Sequence, residues 1–171
     1  MSVAETGNRA ADRRVSIAGL NHVAIPVRDP AEAVRFWTHV MGAEKIGEYE
    51  EGTFAIVMMP GGFMLGFSKE RGGWTARKAE YPHIGFNVAP EMMEPLKQRL
   101  KQFGVPSDDI WTRFRSEALM YFRDPSGNLF ELYCHEGYAK AGSIPVGIHY
   151  GGSFRTDLEA LNYDTWSDPG T

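Results

Sequence analysis

The stretch NHVAIPV at residues 21–27 returns in similar form as PHIGFNV at residues 82–88, and this repetition decides the fold. In each copy, apolar residues alternate with other residues after a histidine, His22 or His83. This is the period-two pattern of a half-buried strand. A predicted helix follows each strand and ends at a glycine. The repeated order indicates an internal duplication in which each copy forms one supersecondary unit.

Three shorter strand candidates follow the helix in each copy. Asp29 and Pro30 are placed to cap and begin the first helix, and the second helix is predicted to begin near Glu94. Two βαβββ modules therefore pair, and the predicted fold class is α+β, a cup-shaped mixed sheet with helices outside. The strand candidates lie at residues 45–50, 53–59 and 63–68 in the first module and at 111–114, 119–123 and 129–134 in the second.

The chain divides into three parts. Residues 1–17 are mostly polar and lack periodicity, so we expect a disordered N-terminal tail. Residues 18–134 form the domain, with modules at 19–68 and 81–134. Residues 135–171 combine many glycines with five aromatic residues, which predicts an arm that docks either on its own domain or across a dimer.

Composition excludes several classes of function. The 171 residues are 43% hydrophobic and carry a net charge of −4, without a basic stripe, so nucleic acid is not an expected partner. No apolar run approaches the roughly 20 residues that cross a bilayer, and no membrane association is expected. The single cysteine, Cys134, excludes an intramolecular disulfide and fits a reducing cytoplasm, which is the expected location.

A carboxylate joins the two histidines. Glu131 lies in the predicted strand GNLFELY at residues 127–133, and its phase is compatible with the face that His22 and His83 share. Two imidazoles and one carboxylate indicate a divalent metal held with coordination positions open. Such a set most favours Fe(II), with Mn, Zn or Ni also possible. The alternative is that the histidines are partly buried polar residues of a cup without metal.

These residues resemble the vicinal oxygen chelate superfamily, which includes glyoxalase I, bleomycin-resistance proteins, fosfomycin-resistance enzymes and extradiol dioxygenases. The resemblance covers residues 19–134 and depends on LNH at residues 20–22 and on YFRDPSGNLFE at residues 121–131. It implies that the metal ligands are His22, His83 and Glu131.

This chain differs from two member families at positions that those families use for metal binding or proton transfer. Glyoxalase I has a fourth protein ligand at the position that reads Leu65 or Gly66 here, and neither side chain binds metal. Extradiol dioxygenases have an acid–base histidine where this chain reads TRF at residues 112–114. No histidine lies between His83 and His135. A dioxygenase built on this chain would therefore take its proton-transfer group from elsewhere.

Fosfomycin-resistance enzymes resemble a further segment, RSE at residues 115–117 and onward to Tyr121. Their phosphonate-binding lysine and second serine are missing, since the nearby positions read Thr112 and Leu119. The resemblance therefore identifies the scaffold and the metal site but not the substrate.

Further residues are candidates for roles beside the metal. Tyr121 is the catalytic candidate, because a phenol near a metal-bound substrate can donate a hydrogen bond or move a proton. The equal alternative is an aromatic residue that covers the cup. Arg115 is the substrate-binding candidate, and Arg113 is predicted to point the same way. Surface positions are the plainer interpretation for both arginines. His149 is either a surface residue or a replacement for the missing acid–base histidine.

Two classes of function remain open. The first is a metal-dependent enzyme acting on a small molecule that chelates the metal through vicinal oxygens, with a ring-cleaving dioxygenase as the leading hypothesis. A non-oxidative lyase or isomerase, or a thiol transferase, is the alternative on the same site. The second class is a metal-free, drug-sequestering protein of the bleomycin-resistance type. A homodimer is expected in either class.

Overall fold

Two modules that each begin with a strand and a helix follow each other in the computed structural model, which describes residues 19–170. The α+β class is confirmed, and the predicted tail at residues 1–17 lies outside the described residues. The first module contains β1 (His22–Val27), α1 (Pro30–His39), β2 (Glu44–Tyr49), β3 (Phe54–Met58) and β4 (Met64–Lys69). The second contains β5 (His83–Asn87), α2 (Met93–Gln102), β6 (Ala118–Arg123) and β7 (Leu129–Cys134).

Each module forms its own sheet. The strand order is β1-β4-β3-β2 in the first sheet and β5-β7-β6 in the second. In both sheets the histidine-bearing strand pairs in parallel with the last strand of its module, and the other pairings are antiparallel. The register places Gly85 beside Glu131, and Tyr121 beside Glu131 on its other side.

The strand predicted at residues 111–114 is wrong. Trp111 and Thr112 make only isolated bridges, to Leu119 and Val146. The carboxylate of Glu117 accepts hydrogen bonds from the backbone N–H groups of the two residues that follow Thr112. The chain then turns at Arg115, whose φ is 65°. These N–H groups are therefore not available to a β-ladder.

Local sequence explains the first helix. The Asp29 side chain accepts a hydrogen bond from the Ala31 N–H at 2.9 Å, and Pro30 occupies the first turn, where it needs no hydrogen-bond donor. The segment ends at Gly42, whose φ of 73° favours glycine.

The apolar faces of the two sheets share one core around Trp37 of α1. The Trp37 ring lies 6.5 Å from the Phe67 ring of the first sheet, and 5.7 and 4.8 Å from the Phe86 and Phe130 rings of the second. Because strand side chains alternate between two faces, the remaining residues of each sheet point away from this core. We call these surfaces the first outer face and the second outer face.

The C-terminal arm docks on its own chain. The Trp166 ring packs at 5.4 Å from Phe36, and the Tyr163 hydroxyl donates a hydrogen bond to the Arg123 carbonyl at 2.9 Å. Across residues 19–170, no helix has the length and apolar character needed to cross a bilayer.

Candidate metal centre and its surroundings

His83 and Glu131 meet on the second outer face. The His83 Nε2 atom lies 3.9 Å from the Glu131 Oε2 atom, and both side chains are largely buried. Gly85 keeps the space beside them open, because a Cβ at that position would lie 3.2 Å from Glu131 Oε2. Bonds from a divalent cation to nitrogen or oxygen are about 2.0–2.2 Å long, so one cation placed between the two atoms can reach both.

The imidazole of His83 is oriented for metal binding. Its Nδ1 atom lies 2.8 Å from the Glu80 carbonyl oxygen, which can only accept, so Nδ1 is the protonated nitrogen of the neutral tautomer and Nε2 is the nitrogen left to bind a metal. His22 has the same arrangement, with Nδ1 at 2.8 Å from the Asn21 side-chain oxygen. A histidine that binds a metal through one ring nitrogen usually donates a hydrogen bond from the other ring nitrogen, which fixes the orientation of the ring.

His22 does not join the other two predicted ligands within one chain. No group of three His, Cys, Asp or Glu side chains among residues 19–170 is close enough to hold a metal ion. His22 is exposed on the first outer face, whereas His83 and Glu131 occupy the second. The prediction that all three ligands share one face must be corrected. Each sheet packs its apolar side on the shared core, so each sheet has its own outer face.

Arg113, rather than Arg115, lies beside the pair. Its Nη2 donates to Glu131 Oε1 at 2.8 Å, and its guanidinium packs over the rings of Trp111 and Tyr133 at 5.5 Å each. The Arg115 guanidinium instead donates to the Gly142 carbonyl at 3.2 Å on the surface. The turn at Arg115 breaks the strand alternation that would have placed both arginines on one side.

Tyr121 is buried against His83, and the centroids of the two rings lie 5.4 Å apart in an edge-to-face arrangement. Its hydroxyl donates to Glu80 Oε1 at 3.1 Å. Burial raises the pKa of Tyr121 well above its ordinary value, and the charges of Glu131 and Glu80 raise it further. The phenol therefore keeps its proton at neutral pH and acts as a hydrogen-bond donor.

Glu80 is the functional residue that sequence reasoning missed. Its carbonyl oxygen holds His83 and its carboxylate holds Tyr121. The only signal in the sequence is its place three residues before the histidine. That segment has no strand or helix periodicity, so its side-chain direction cannot be read from the sequence.

Cys134 and His149 take no part in the pair. Cys134 is fully buried in the main core, where burial raises the pKa of its thiol, so it is a small core residue. His149 belongs to a short 3₁₀ turn of the arm, Ile148–Tyr150, and lines a cavity beside Tyr121.

Comparison with known proteins gives one family and a consistent set of relatives. Residues 19–132 match the model of the glyoxalase/bleomycin resistance protein/dioxygenase superfamily. Glutathione transferase FosA from Serratia marcescens is 33% identical over 142 residues, which are 82% of this chain and 98% of that protein. Fosfomycin resistance protein FosX from Listeria innocua is 26% identical over 122 residues, covering 68% of this chain and 90% of the relative.

A solved structure shows the same fold. It is a mutant of FosX from Listeria monocytogenes in complex with Mn(II) and 1S,2S-dihydroxypropylphosphonic acid. It superposes with a TM-score of 0.59 at 23% identity and covers 74% of this chain and 96% of that chain. None of these three proteins is a dioxygenase by name, whereas the first is named as a glutathione transferase.

Proposed function

This chain belongs to the glyoxalase/bleomycin resistance protein/dioxygenase superfamily, and we propose that it is a metal-dependent transferase joining a thiol to a small anionic substrate. Fosfomycin, an epoxide that carries a phosphonate, is the first substrate to test. The name of the FosA relative, a glutathione transferase, supports the thiol, and the name of the FosX relative, a fosfomycin resistance protein, supports the substrate. The thiol-transferase alternative thereby ranks above the ring-cleaving dioxygenase.

The observation that carries the proposal is the His83 and Glu131 pair, in which the Glu80 carbonyl orients the imidazole and Nε2 lies 3.9 Å from the carboxylate. A cation bound there would polarise a substrate oxygen and stabilise the negative charge that develops on it. The ligand set alone favours Fe(II), while the FosX neighbour holds Mn(II), so Mn(II) is the first ion to test.

We propose that His22 of a second copy completes the ligand set in a homodimer. The first outer face is suited to cover by another chain, because it carries half-buried apolar residues of β3 beside exposed ones of β2. An apolar surface of this kind on a soluble domain usually marks an interface. The residues concerned are Phe54, Ile56 and Met58 on β3, and Ile46 and Tyr49 on β2.

Arg113 is the group proposed to recognise the anionic end of the substrate. Its guanidinium is 19% exposed at the edge of the ligand pair and already forms a charge-assisted bond to Glu131. A guanidinium has five N–H donors, so it can keep this bond and still bind a phosphonate or carboxylate oxygen. This role takes the place of the one predicted for Arg115.

Metal content and thiol transfer test the proposal together. Protein purified without chelators should contain about one divalent cation per chain, and His83→Ala should lose it. His39→Ala is the matched control, because His39 is exposed at the end of α1. Mass spectrometry should then detect a fosfomycin–glutathione adduct with the wild type and with the control. Only trace metal in the wild type, together with tight metal-free binding of fosfomycin, would favour the drug-sequestering alternative instead.

A further inference from the structure

Three large aromatic residues are exposed around the His83 and Glu131 pair. Tyr81 and Phe114 are 70% and 69% exposed, and Tyr150 is 41% exposed. We call these three residues the aromatic rim. Single apolar residues scattered over a surface are normal, whereas a group of them beside polar side chains marks a binding site.

A continuous series of contacts joins the aromatic rim to the pair. The Tyr81 ring stacks on the His83 imidazole, with 5.3 Å between the ring centroids. At the carboxylate end of the pair, the Arg113 guanidinium lies 5.8 Å from the centroid of the Tyr150 ring. Phe114 meets that Tyr150 ring edge-on, with 5.1 Å between the centroids. A molecule that binds against these rings therefore lies beside the proposed metal ligands.

Two separate segments build the Phe114 and Tyr150 part of the rim. The backbone N–H of Phe114 donates to the Glu117 carboxylate at 2.8 Å, which holds the turn that exposes the ring. Tyr150 is the last residue of the 3₁₀ turn Ile148–Tyr150 in the arm, beyond residue 132, where the family model ends. A preference set by Tyr150 therefore belongs to the arm of this chain and not to the matched domain.

Arg113 adds a charge to the aromatic rim. Its Nη2 donates to Glu131, and its other N–H groups form no hydrogen bond within residues 19–170. Because the guanidinium also lies over the Tyr150 ring, an anion bound to those donors brings its neighbouring atoms against the rim. Charge complementarity therefore favours an occupant with an anionic end, and the exposed rings favour an apolar part next to that end.

We propose that the aromatic rim selects substrates in which an aromatic ring lies within a few bonds of the anionic group, as in arylphosphonates. The inference rests on the proposed function, in which Arg113 binds the anion. A ring is favoured over an alkyl chain because exposed aromatic faces and edges pair in specific geometries with another aromatic ring. Fosfomycin has only a methyl group beyond its epoxide, so it leaves the rim uncovered and is the smallest substrate of a site built for larger ones.

Calorimetric titration of protein purified without chelators compares phenylphosphonate with methylphosphonate, which share the anion and differ in the ring. We expect phenylphosphonate to bind at least about tenfold more tightly, because its ring leaves water and packs against the rim. Cyclohexylphosphonate has similar bulk without a planar ring and should bind at least about threefold more weakly than phenylphosphonate. Equal affinity for the phenyl compound and either of the others would overturn the proposal.

Phe114→Ala tests whether the rim supplies this preference. The Phe114 side chain is largely exposed, so its removal leaves the core intact. We expect phenylphosphonate affinity to fall by about 5- to 10-fold and methylphosphonate affinity to stay unchanged. Met92→Ala is the matched control, because Met92 is likewise a large exposed apolar residue, just before α2. Unchanged phenylphosphonate affinity in Phe114→Ala, together with a monomer by light scattering, would overturn the proposal and assign the rim to a second copy.

Binding and turnover together separate this inference from the proposed function. Phenylphosphonate and methylphosphonate have no epoxide, so their binding does not depend on thiol transfer. If phenylphosphonate binds more tightly but no fosfomycin–glutathione adduct forms, the proposed function fails and the rim stands as the part of the site that selects an aromatic anion. If the adduct forms while the two phosphonates bind equally, the assignment of the rim alone fails.

Discussion

The two outer faces come from one duplicated pattern but carry opposite contents. The first outer face presents His22 among apolar side chains and is open. The second presents His83 with Glu131, Arg113 and Tyr121, and the arm covers part of it. A duplication can therefore keep the scaffold in both halves while the reactive groups collect in one. The other half is left with one histidine and a surface suited to binding a second copy.

Glu131→Gln is expected to have the largest effect, because it removes the negative charge of the proposed metal ligand from the second outer face. Metal affinity and thiol transfer should each fall by at least about 100-fold, since a neutral amide is a weak ligand for a divalent cation. Metal content by mass spectrometry and adduct formation measure both. Glu136→Gln, an exposed neighbour on the same segment, is the control. Retained metal in Glu131→Gln would remove this carboxylate from the ligand set.

The sequence predicted the second outer face only in part. A residue's position could be predicted where it follows from local strand alternation, but not where it depends on distant parts of the chain. Period-two alternation predicted that His83 and Glu131 share a face, because both lie in regular strands that pair in register. The same rule predicted the direction of His22 within its own sheet. It could not predict how the two sheets face each other, because the packing of Trp37 between them sets that arrangement.

The positions that could not be predicted from the sequence lie in segments without regular secondary structure. Arg113 reaches Glu131 because the Glu117 carboxylate holds the neighbouring backbone in a turn, and Glu80 reaches Tyr121 from a loop. Neither position follows from a periodic pattern. The arm shows the same limit, since its aromatic residues predicted docking but not the surface on which it docks.

Ile56→Glu should break the first outer face while the core remains intact, because Ile56 is half-buried and points away from that core. A charge there opposes burial against a second copy, so we expect a monomer by light scattering and metal affinity lower by about 10- to 100-fold. Lys101→Glu on the exposed side of α2 should leave the dimer unchanged. A dimer with full metal affinity in Ile56→Glu would place the interface elsewhere.

Tyr121→Phe should have a smaller effect on the second outer face. The variant loses only the hydroxyl, whose partner is the Glu80 carboxylate, and keeps the ring contact with His83. We expect kcat to fall by about 10- to 100-fold, with metal content and melting temperature close to those of the wild type. An unchanged kcat would make Tyr121 a covering aromatic residue without a part in proton transfer.

Asp108→Asn should give the smallest effect, a change in how stability depends on pH. Burial raises the pKa of Asp108 from 3.8 to about 7, against hydrogen bonds from Thr156 and the Tyr121 N–H. The folded state binds this proton more tightly than the unfolded state, so the contribution is present below about pH 4 and is lost as pH rises toward 7. Melting temperatures of wild type relative to Asp108→Asn should therefore fall across that window. Parallel curves would show that Asp108 does not titrate there.

Mixing two inactive variants tests most directly whether the two outer faces of different copies form one metal centre. His22→Ala and Glu131→Ala each lack one ligand. If His22 joins the pair of a second copy, a heterodimer of these variants has one complete site of its two. Random exchange of subunits should then restore about a quarter of the wild-type metal binding and transfer activity. No recovery, with heterodimers present by native mass spectrometry, would contradict a centre shared between copies.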